Sequence, residues 1–362
     1  MSKSVNAGVH NAIGIEFQKH CALFLLFNNY STLKGGKYFI CIEHHDDVLF
    51  CHQGVLDELT SIDSYQVKKT SEKWGLTKDF IDIISKIAGT GIELENDLMP
   101  KSSTYKHNLQ FTTNHAINLL IKQKKPLPNI SELINESNSL MFITGLHQKL
   151  NDKIAAEIEE YWKPDKAPLA QIKNISLAYI DLPKKSQPTI DQLVGLFKRA
   201  VNPDIIDASA AVHTLIKLFR EVENTLNNGN ISKLMDTSKR VTSEQITKVI
   251  NIINTRQKAY NFWRDEGKDL AKKLNITIAD QMGFEKLIED SFDFFKDLKQ
   301  AEHRKILNFV KSNIALLHTT VDEVECINEL YNKFLTGHNT PLSDKLLKSA
   351  LVAAYIETRG TL

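Results

Sequence analysis

One helix-like run, three strand-like runs, a second helix and a fourth strand follow one another within the first 114 residues. This α-β-β-β-α-β order restricts the fold more than any other feature of the chain. Residues 12–29, AIGIEFQKHCALFLLFNN, place apolar residues at helical spacing and become apolar on most sides toward the end. That pattern predicts a helix buried against a sheet. Gly35 and Gly36 mark a turn. KYFICIE (37–43) and DVLFCH (47–52) read as strands joined by a turn at His44, His45 and Asp46. SYQVKKT (64–70) alternates with period two as a third strand. An amphipathic helix is expected over 76–89, with Thr77 as N-cap and Gly89 just past its end, then a strand over 107–114, HNLQFTTN.

Beyond residue 115 helical patterns dominate. HAINLLIKQKK (115–125) and the run 135–162 are expected helices. One strand-like stretch, IKNISLAYIDLP (172–183), reads as the chain returning to its first domain. Further helices are expected near 205–228, 242–265, 283–316, 320–335 and 342–357, with loops at 227–230 and 337–343. Thr189-Ile190-Asp191-Gln192 and Thr242-Ser243-Glu244-Gln245 fit the capping-box pattern. With no internal repeat and no proline- or glycine-rich linker, the division is an α/β domain over 1–200 and a mostly α-helical domain over 201–362, suited to regulation or oligomerisation.

A chain of 362 residues, 42% hydrophobic and 25% charged, has the composition of an ordinary globular protein rather than of low-complexity disorder. Its formal net charge of +1 means that DNA binding must come from a local patch, not from bulk charge. Cys21, Cys41, Cys51 and Cys326 form no C-x-x-C pair and read as reduced, buried thiols. The N-terminus lacks a basic region followed by a long apolar core, and the most apolar run, CALFLLF (21–27), is too short to span a bilayer. A cytoplasmic protein without a membrane partner is expected.

The chemistry is concentrated in EHHDDV (43–48) and YQVKKT (65–70). Asp47 opens the second strand. Gln66 and Lys68, one residue apart, share a face of the third. If those strands are neighbours, a carboxylate, an amide oxygen and an ammonium meet. These are parts for cutting a phosphodiester. Mg²⁺, or Mn²⁺ in its place, takes oxygen ligands and needs few protein groups. Asp47 supplies an anionic ligand, and the Gln66 amide or the backbone carbonyl of Val67 another. Lys68 positions the attacking water or stabilises charge on the phosphorane.

This arrangement resembles the PD-(D/E)xK nuclease superfamily, and within it the double-stranded DNA endonuclease domain of CBASS effectors and of the Lamassu nuclease subunit, LmuA. The likeness is carried by GIEFQ (14–18), EHHDDV (43–48), YQVKKT (65–70) and FTTN (111–114), spanning about the first third of the chain. It departs at Gln66, where the superfamily has Asp or Glu. The resemblance implies a restriction-endonuclease-like fold, with Asp47 as metal ligand, Gln66 at the second ligand position and Lys68 as the catalytic lysine. Gln18, with Glu16 as a neighbour, reaches the site from the first helix, and Glu43 helps hold the metal or orient its water. Asp46 is either a second ligand or a turn residue.

Between Asp97 and Glu132 there is no acidic residue, while Lys101, Lys106, Lys122, Lys124 and Lys125 fall within the window. With Lys69 beside the site, these are the expected phosphate contacts, which carry no sequence code. His44 and His45, at a hairpin tip, are expected to be solvated or DNA-facing, and Trp74 to pack under the following helix. Nothing reads as a helix-turn-helix or zinc finger, so cleavage of low sequence specificity is expected.

The reading is a metal-dependent double-stranded DNA endonuclease, the effector of a prokaryotic defence complex against phage and plasmids. The helical half resembles no nucleotide-sensing domain of CBASS effectors. The Lamassu likeness therefore implies control by an SMC-like ATPase and a small accessory subunit, and a nuclease that is released or forms a homo-oligomer when active. A catalytically silent DNA-binding or scaffold subunit of the same fold is the alternative, supported by Gln66. An RNA-directed nuclease is a third reading. No glycine-rich phosphate loop supports nucleotide hydrolysis.

Overall fold

Strand β1 (Tyr38–Ile42) is buried at every residue, which requires cover on both faces of its sheet. That cover comes from helices on the two sides. The computed structural model describes residues 7–359 except 71, 202, 204, 206, 224–232 and 298, so the loop expected at 227–230 lies outside the described residues. Helix α1 (Ala7–Asn28) and the short α2 (Tyr30–Leu33) precede β1, followed by β2 (Val48–Gln53), β3 (Leu59–Lys68), the two-residue β4 (Trp74–Gly75), α3 (Lys78–Asn96) and β5 (Lys101–Thr113). The α-β-β-β-α-β order is therefore present, with one added bridge-like strand.

The order continues with β6 (Ile117–Ile121), β7 (Ile130–Ile134), β8 (Leu140–Phe142), α4 (Gln148–Trp162), β9 (Ile175–Tyr179), α5 (Ser186–Ala200), α6 (Ala208–Glu223) and β10 (Arg240–Thr242). The main sheet has seven strands in the order β10-β1-β2-β3-β5-β9-β8, and β4, β6 and β7 form a second, smaller sheet. β1, β2 and β3 are an antiparallel meander, whereas β3, β5 and β9 run parallel. The stretch 172–183 does return the chain to this sheet, as β9 beside β5.

Period two divides the core. Phe39, Cys41, Leu49 and Cys51 face a cluster that includes Phe80, Ile84 and Ile87 of α3 and Leu150, Ile154 and Ile158 of α4. The intervening Ile40, Ile42, Val48 and Phe50 are equally buried but belong to the opposite side. Thr77 caps α3 by accepting the Phe80 N–H at 3.3 Å, as expected. Gly89, expected beyond the helix, lies inside it. The ring of Trp162 from α4 packs directly on Gly89, leaving no room for a Cβ.

The helix expected over 115–125 is instead β6, and of that expected over 135–162 only Gln148–Trp162 is α-helical, with β8 before it; β7 forms in the stretch between. Ile117 and Leu119 point inward while Asn118 and Leu120 face out, so the period is two. The consecutive Leu119, Leu120 and Ile121 hide that alternation in the sequence. The capping box at Thr242 is present, with the Thr242 N–H on Gln245 Oε1 (2.8 Å) and the Gln245 N–H on Thr242 Oγ1 (3.3 Å). That at Thr189 is not: Thr189 lies within α5 and donates to the carbonyls of Pro183 and Lys185.

Two compact units emerge, one running to residue 249 apart from 205–207, the other comprising 250–362 with 205–207. The first extends past the boundary expected at 200 because α6 packs on α1, α5 and β1, and β10 pairs with β1. The second unit is helical: α7 (Ser243–Lys273) leads into it, followed by α8 (Ile278–Gln281), α9 (Phe284–Lys296), α10 (Ala301–Ser312), α11 (Ala315–Thr319), α12 (Glu323–Gly337) and α13 (Asp344–Arg359). Its core surrounds α13, whose Leu347 and Ala350–Ala354 are all buried. The single helix expected over 283–316 is broken at Asp297, whose carboxylate accepts the Lys299 N–H at 2.9 Å and competes with the helical pattern. No helix of the described residues is long and apolar enough to cross a membrane.

Candidate active site

The parallel strands β3, β5 and β9 end together, and ligands of open α/β sheets bind outside such carboxyl ends. Here a cleft of about 690 Å³ opens beside α1, lined by Gln18, Glu43, Asp47, Val67, Lys68 and Lys69 among others. Continuing the β2–β3 ladder by one residue sets Asp47 opposite Gln66. The Asp47 carboxylate, however, leans along β3. Its Oδ2 accepts the Val67 N–H at 2.8 Å and the Lys68 ammonium at 3.2 Å. The Asp47 side chain is 13% exposed and that of Lys68 33%. A hydrogen bond to a charged, mostly enclosed oxygen contributes on the order of 1.5–3 kcal/mol, so this carboxylate is held firmly.

Asp46 faces a different way. Its Oδ1 accepts the Asp47 N–H at 3.0 Å and its Oδ2 the Ser64 hydroxyl at 2.7 Å. The residue is half-buried overall, with its carboxyl end enclosed, and burial followed by the charge of Asp47 pushes its pKa up to about 7 against the opposing Ser64 bond. It does not line the cleft, and both of its carboxylate oxygens are engaged within the turn and by β3. Glu43 does line the cleft and is exposed, with a left-handed φ of 53°. Such a backbone costs a non-glycine residue about 1–3 kcal/mol. It is fixed by the Glu43 N–H on the Asp47 carbonyl and the His44 N–H on that of Asp46, both 3.1 Å.

Gln18 enters from α1. It is only 6% exposed, and its Oε1 is buried without a hydrogen-bond partner. An unpaired buried acceptor at the edge of a carboxylate site is costly unless something completes it. The donors at hand, the Asp47 and Glu43 carboxylates and the Gln18 amide oxygen, are all hard oxygens, the chemistry that suits Mg²⁺. Among the described residues no group of three or more His, Cys, Asp or Glu is arranged to hold a metal. Any ion here relies on amide, backbone or water oxygens besides its carboxylates.

Four other residues singled out in the sequence do not line the cleft. Gln66 does not line the cleft and its side chain makes no hydrogen bond among the described residues. Glu16 turns away to His20, Lys19 and Arg220, with the Arg220 guanidinium at 2.6 Å, and the His20 bond leads in pulling its pKa down to about 2. His45 is enclosed rather than solvent-facing, held between Glu93 (3.0 Å) and Asp97 (3.2 Å). Trp74 packs edge-on against Phe111, which in turn meets Phe80 of α3, and donates to Thr113 Oγ1.

The lysine-rich window does not form one patch. Lys101 and Lys106 pair with the start of β3, opposite Leu59 and Ser61, whereas the cleft lies at its end. At about 3.3 Å per residue that is roughly 20–30 Å away along the strands. Lys101 is also occupied, bonded to the Asp97 carbonyl and set over the Tyr105 ring. Lys122, Lys124 and Lys125 sit in the β6–β7 connection of the small sheet. Lys69 does line the cleft, over the Phe17 ring at 5.5 Å, and burial lowers its pKa.

One contributor, Lys184, carried no sequence signal, and another, Asn114, stood out only as part of FTTN. Lys184, beyond the end of β9, lines the cleft with Thr70. Asn114, the last residue of FTTN, ties their segments together: its Oδ1 accepts the Thr70 N–H and its Nδ2 donates to the Leu182 carbonyl, both at 3.3 Å. The motif therefore frames the cleft rather than entering it.

Residues 6–227 match the family model described as Cap4, dsDNA endonuclease domain. The chain belongs to that family. More than half of it, including every cleft residue, lies in the matched segment. Membership makes it a nuclease, a phosphodiester hydrolase acting on double-stranded DNA, of the type found in anti-phage CBASS effectors. No curated protein and no solved structure matches the chain.

Proposed function

We propose that the protein is a metal-dependent endonuclease that cuts double-stranded DNA with low sequence specificity, using a PD-(D/E)xK-type site at Asp47 and Lys68. The observation that carries this reading is the Asp47 carboxylate, fixed by the Val67 N–H and the Lys68 ammonium beside the unpaired oxygen of Gln18. Asp47, Gln18 and Glu43 are the residues to hold Mg²⁺ or Mn²⁺, and Val67 lines the same cleft. The ion, when bound, polarises the scissile phosphate and acidifies a water. Lys68 keeps Asp47 oriented, and its ammonium stabilises negative charge that develops on the phosphate. Lys69 and Lys184 attract the phosphodiester backbone without reading bases.

We further propose a Lamassu-type setting, with an SMC-like ATPase and a small accessory subunit as partners and a homo-oligomer as the active form. We assign these contacts to the helical unit, which lies largely beyond the matched segment. One observation favours the silent-scaffold reading instead: Gln66 stands where the superfamily has an acid and does not line the cleft.

Plasmid and linear duplex cleavage decides between them. Purified protein is assayed with Mg²⁺ or EDTA, alone and with the proposed partners, against Lys68→Ala and Asp47→Ala. Metal-dependent cutting lost in both variants supports the nuclease. Absence of cutting by wild type with partners present supports the scaffold.

A further inference from the structure

The turn that carries Glu43 and Asp47 to the cleft is fastened at its tip to the end of α3. Glu93 lies in the last turn of that helix and Asp97, four residues on, caps it. The His45 ring sits between them, Nδ1 at 3.0 Å from a Glu93 oxygen and Nε2 at 3.2 Å from Asp97 Oδ2. The two contacts differ in kind. The Glu93 side chain is 54% exposed, whereas those of His45 and Asp97 are 5% and 2% exposed. A hydrogen bond to an enclosed carboxylate holds its donor more firmly than one shared with water.

Asp97 passes the contact on. The same Oδ2 accepts the Leu234 N–H at 3.2 Å, and Oδ1 accepts the Met99 N–H at 2.9 Å. The Leu234 carbonyl in turn accepts from the Arg240 guanidinium at 3.1 Å, which lies over the Phe39 ring of β1 at 4.2 Å. Leu234 itself is fully buried in the core on the α3 side of the sheet. Leu234 and Arg240 belong to the same compact unit as the cleft, yet lie beyond residue 227, where the family match ends. A chain of contacts therefore runs from Phe39 and Arg240 through Leu234 and Asp97 to His45.

At its far end stand the carboxylates of the cleft. Glu43 and Asp47 lie two residues to either side of His45, and the Glu43 N–H on the Asp47 carbonyl closes the turn. The left-handed φ of 53° at Glu43 is a conformation that persists only where its surroundings enforce it. We propose that His45 is a positioning residue of the nuclease site: by docking Nε2 on Asp97, backed by Leu234 and Arg240, it holds the turn so that Glu43 and Asp47 face a divalent cation. The proposal rests on the metal-dependent reading of the cleft.

The test is calorimetric titration of Mn²⁺ into the full chain without DNA, which reads binding apart from cleavage. The amide nitrogen of glutamine reaches the place of imidazole Nε2, and that of asparagine the place of Nδ1. His45→Gln therefore keeps the Asp97 contact and His45→Asn loses it. Asparagine is expected to weaken the ion about ten-fold or more, the scale of losing a partner one contact removed from a metal ligand, and glutamine to restore most of that affinity. Asp97→Asn, left with one oxygen for three donors, should weaken the ion in the same direction, and it decides the matter where His45→Asn does not fold. Circular dichroism melting is run on each variant. Wild-type affinity in both His45→Asn and Asp97→Asn overturns the proposal, whether or not the melting temperature falls. Equal weakening by asparagine and glutamine overturns it too, because the Asp97 contact would then carry nothing. Asp47→Asn tests the reading beneath and should abolish binding. If wild type binds no ion, or Asp47→Asn binds it as well as wild type, the metal reading of the cleft fails and the positioning role falls with it.

Discussion

The Lys68 ammonium lies 3.2 Å from the Asp47 carboxylate on the same oxygen that accepts the Val67 amide. One atom thus joins strand β3 to the turn before β2, and charge and fold are coupled there. Asp47→Asn keeps an acceptor for the Val67 N–H, whereas Asp47→Ala strands a mostly buried donor at a cost of about 1–3 kcal/mol. Both are expected to lose cleavage by at least about a hundred-fold, the scale of losing an electrostatic group at a reacting centre. Only Asp47→Ala should shift the urea midpoint. Equal destabilisation by both would mean that the charge itself, rather than the acceptor, holds the turn.

Gln18 separates function from stability more sharply. Its Oε1 has no partner to lose. Gln18→Leu, of similar volume, is therefore expected to leave the melting temperature unchanged or raised, while the Mg²⁺ concentration for half-maximal cleavage rises at least ten-fold. A structural role predicts the reverse, a lower melting temperature with an unchanged metal requirement.

Much of this site was legible because two residues apart on a strand is a hard constraint. Asp47 and Lys68 follow from spacing once their strands are neighbours, whereas the helix carrying Gln18 is brought to the site only by the family resemblance. The place of Gln66 was not legible, because spacing gives the face but not the lean of the facing carboxylate toward Val67 and Lys68. Lys184 was invisible for another reason: it reaches the cleft only because β9 returns beside β5, a pairing between residues far apart in sequence. The small sheet was missed where Leu119, Leu120 and Ile121 blur a period of two. The end of α3 was misplaced because glycine usually stops a helix, and here Gly89 serves the packing of Trp162.

That packing makes a signed prediction. In an exposed helix Gly→Ala stabilises by about 1 kcal/mol. At Gly89 the new methyl meets the Trp162 ring, which is itself anchored through Nε1 to the Ser85 carbonyl at 2.8 Å. Overpacking of this kind costs about 1–3 kcal/mol, so the clash wins. Gly89→Ala should lower stability by chemical denaturation, and Gly89→Ala/Trp162→Leu should recover part of the loss.

The helical unit should respond to mild acid through His303. It is buried at 5% exposure, its ring lies 4.7 Å from that of Phe294, and burial lowers its pKa despite the nearby Glu302. A histidine whose folded pKa lies below its unfolded value near 6.5 binds protons more readily when unfolded. Stability is therefore fully present above about pH 6.5 and declines as pH falls through and below it. Thermal melts between pH 7.5 and 5 should show this decline, and His303→Gln should flatten it.

The lysines give the last discrimination. Removing one cation that neutralises a DNA phosphate should reduce the slope of log affinity against log salt by roughly 0.9. Lys69→Gln and Lys184→Gln, both at the cleft, are expected to weaken duplex binding and each to lower that slope by about this amount. Lys106→Gln, at the opposite end of the strands, should change neither. Fluorescence anisotropy with an unlabelled-competitor control, across roughly 50–200 mM salt and with EDTA to prevent cutting, measures both quantities. If Lys106→Gln lowers the slope as much as Lys184→Gln, the duplex runs along the sheet edge rather than across the carboxyl ends of β3 and β5. The cleft would then hold only the strand being cut.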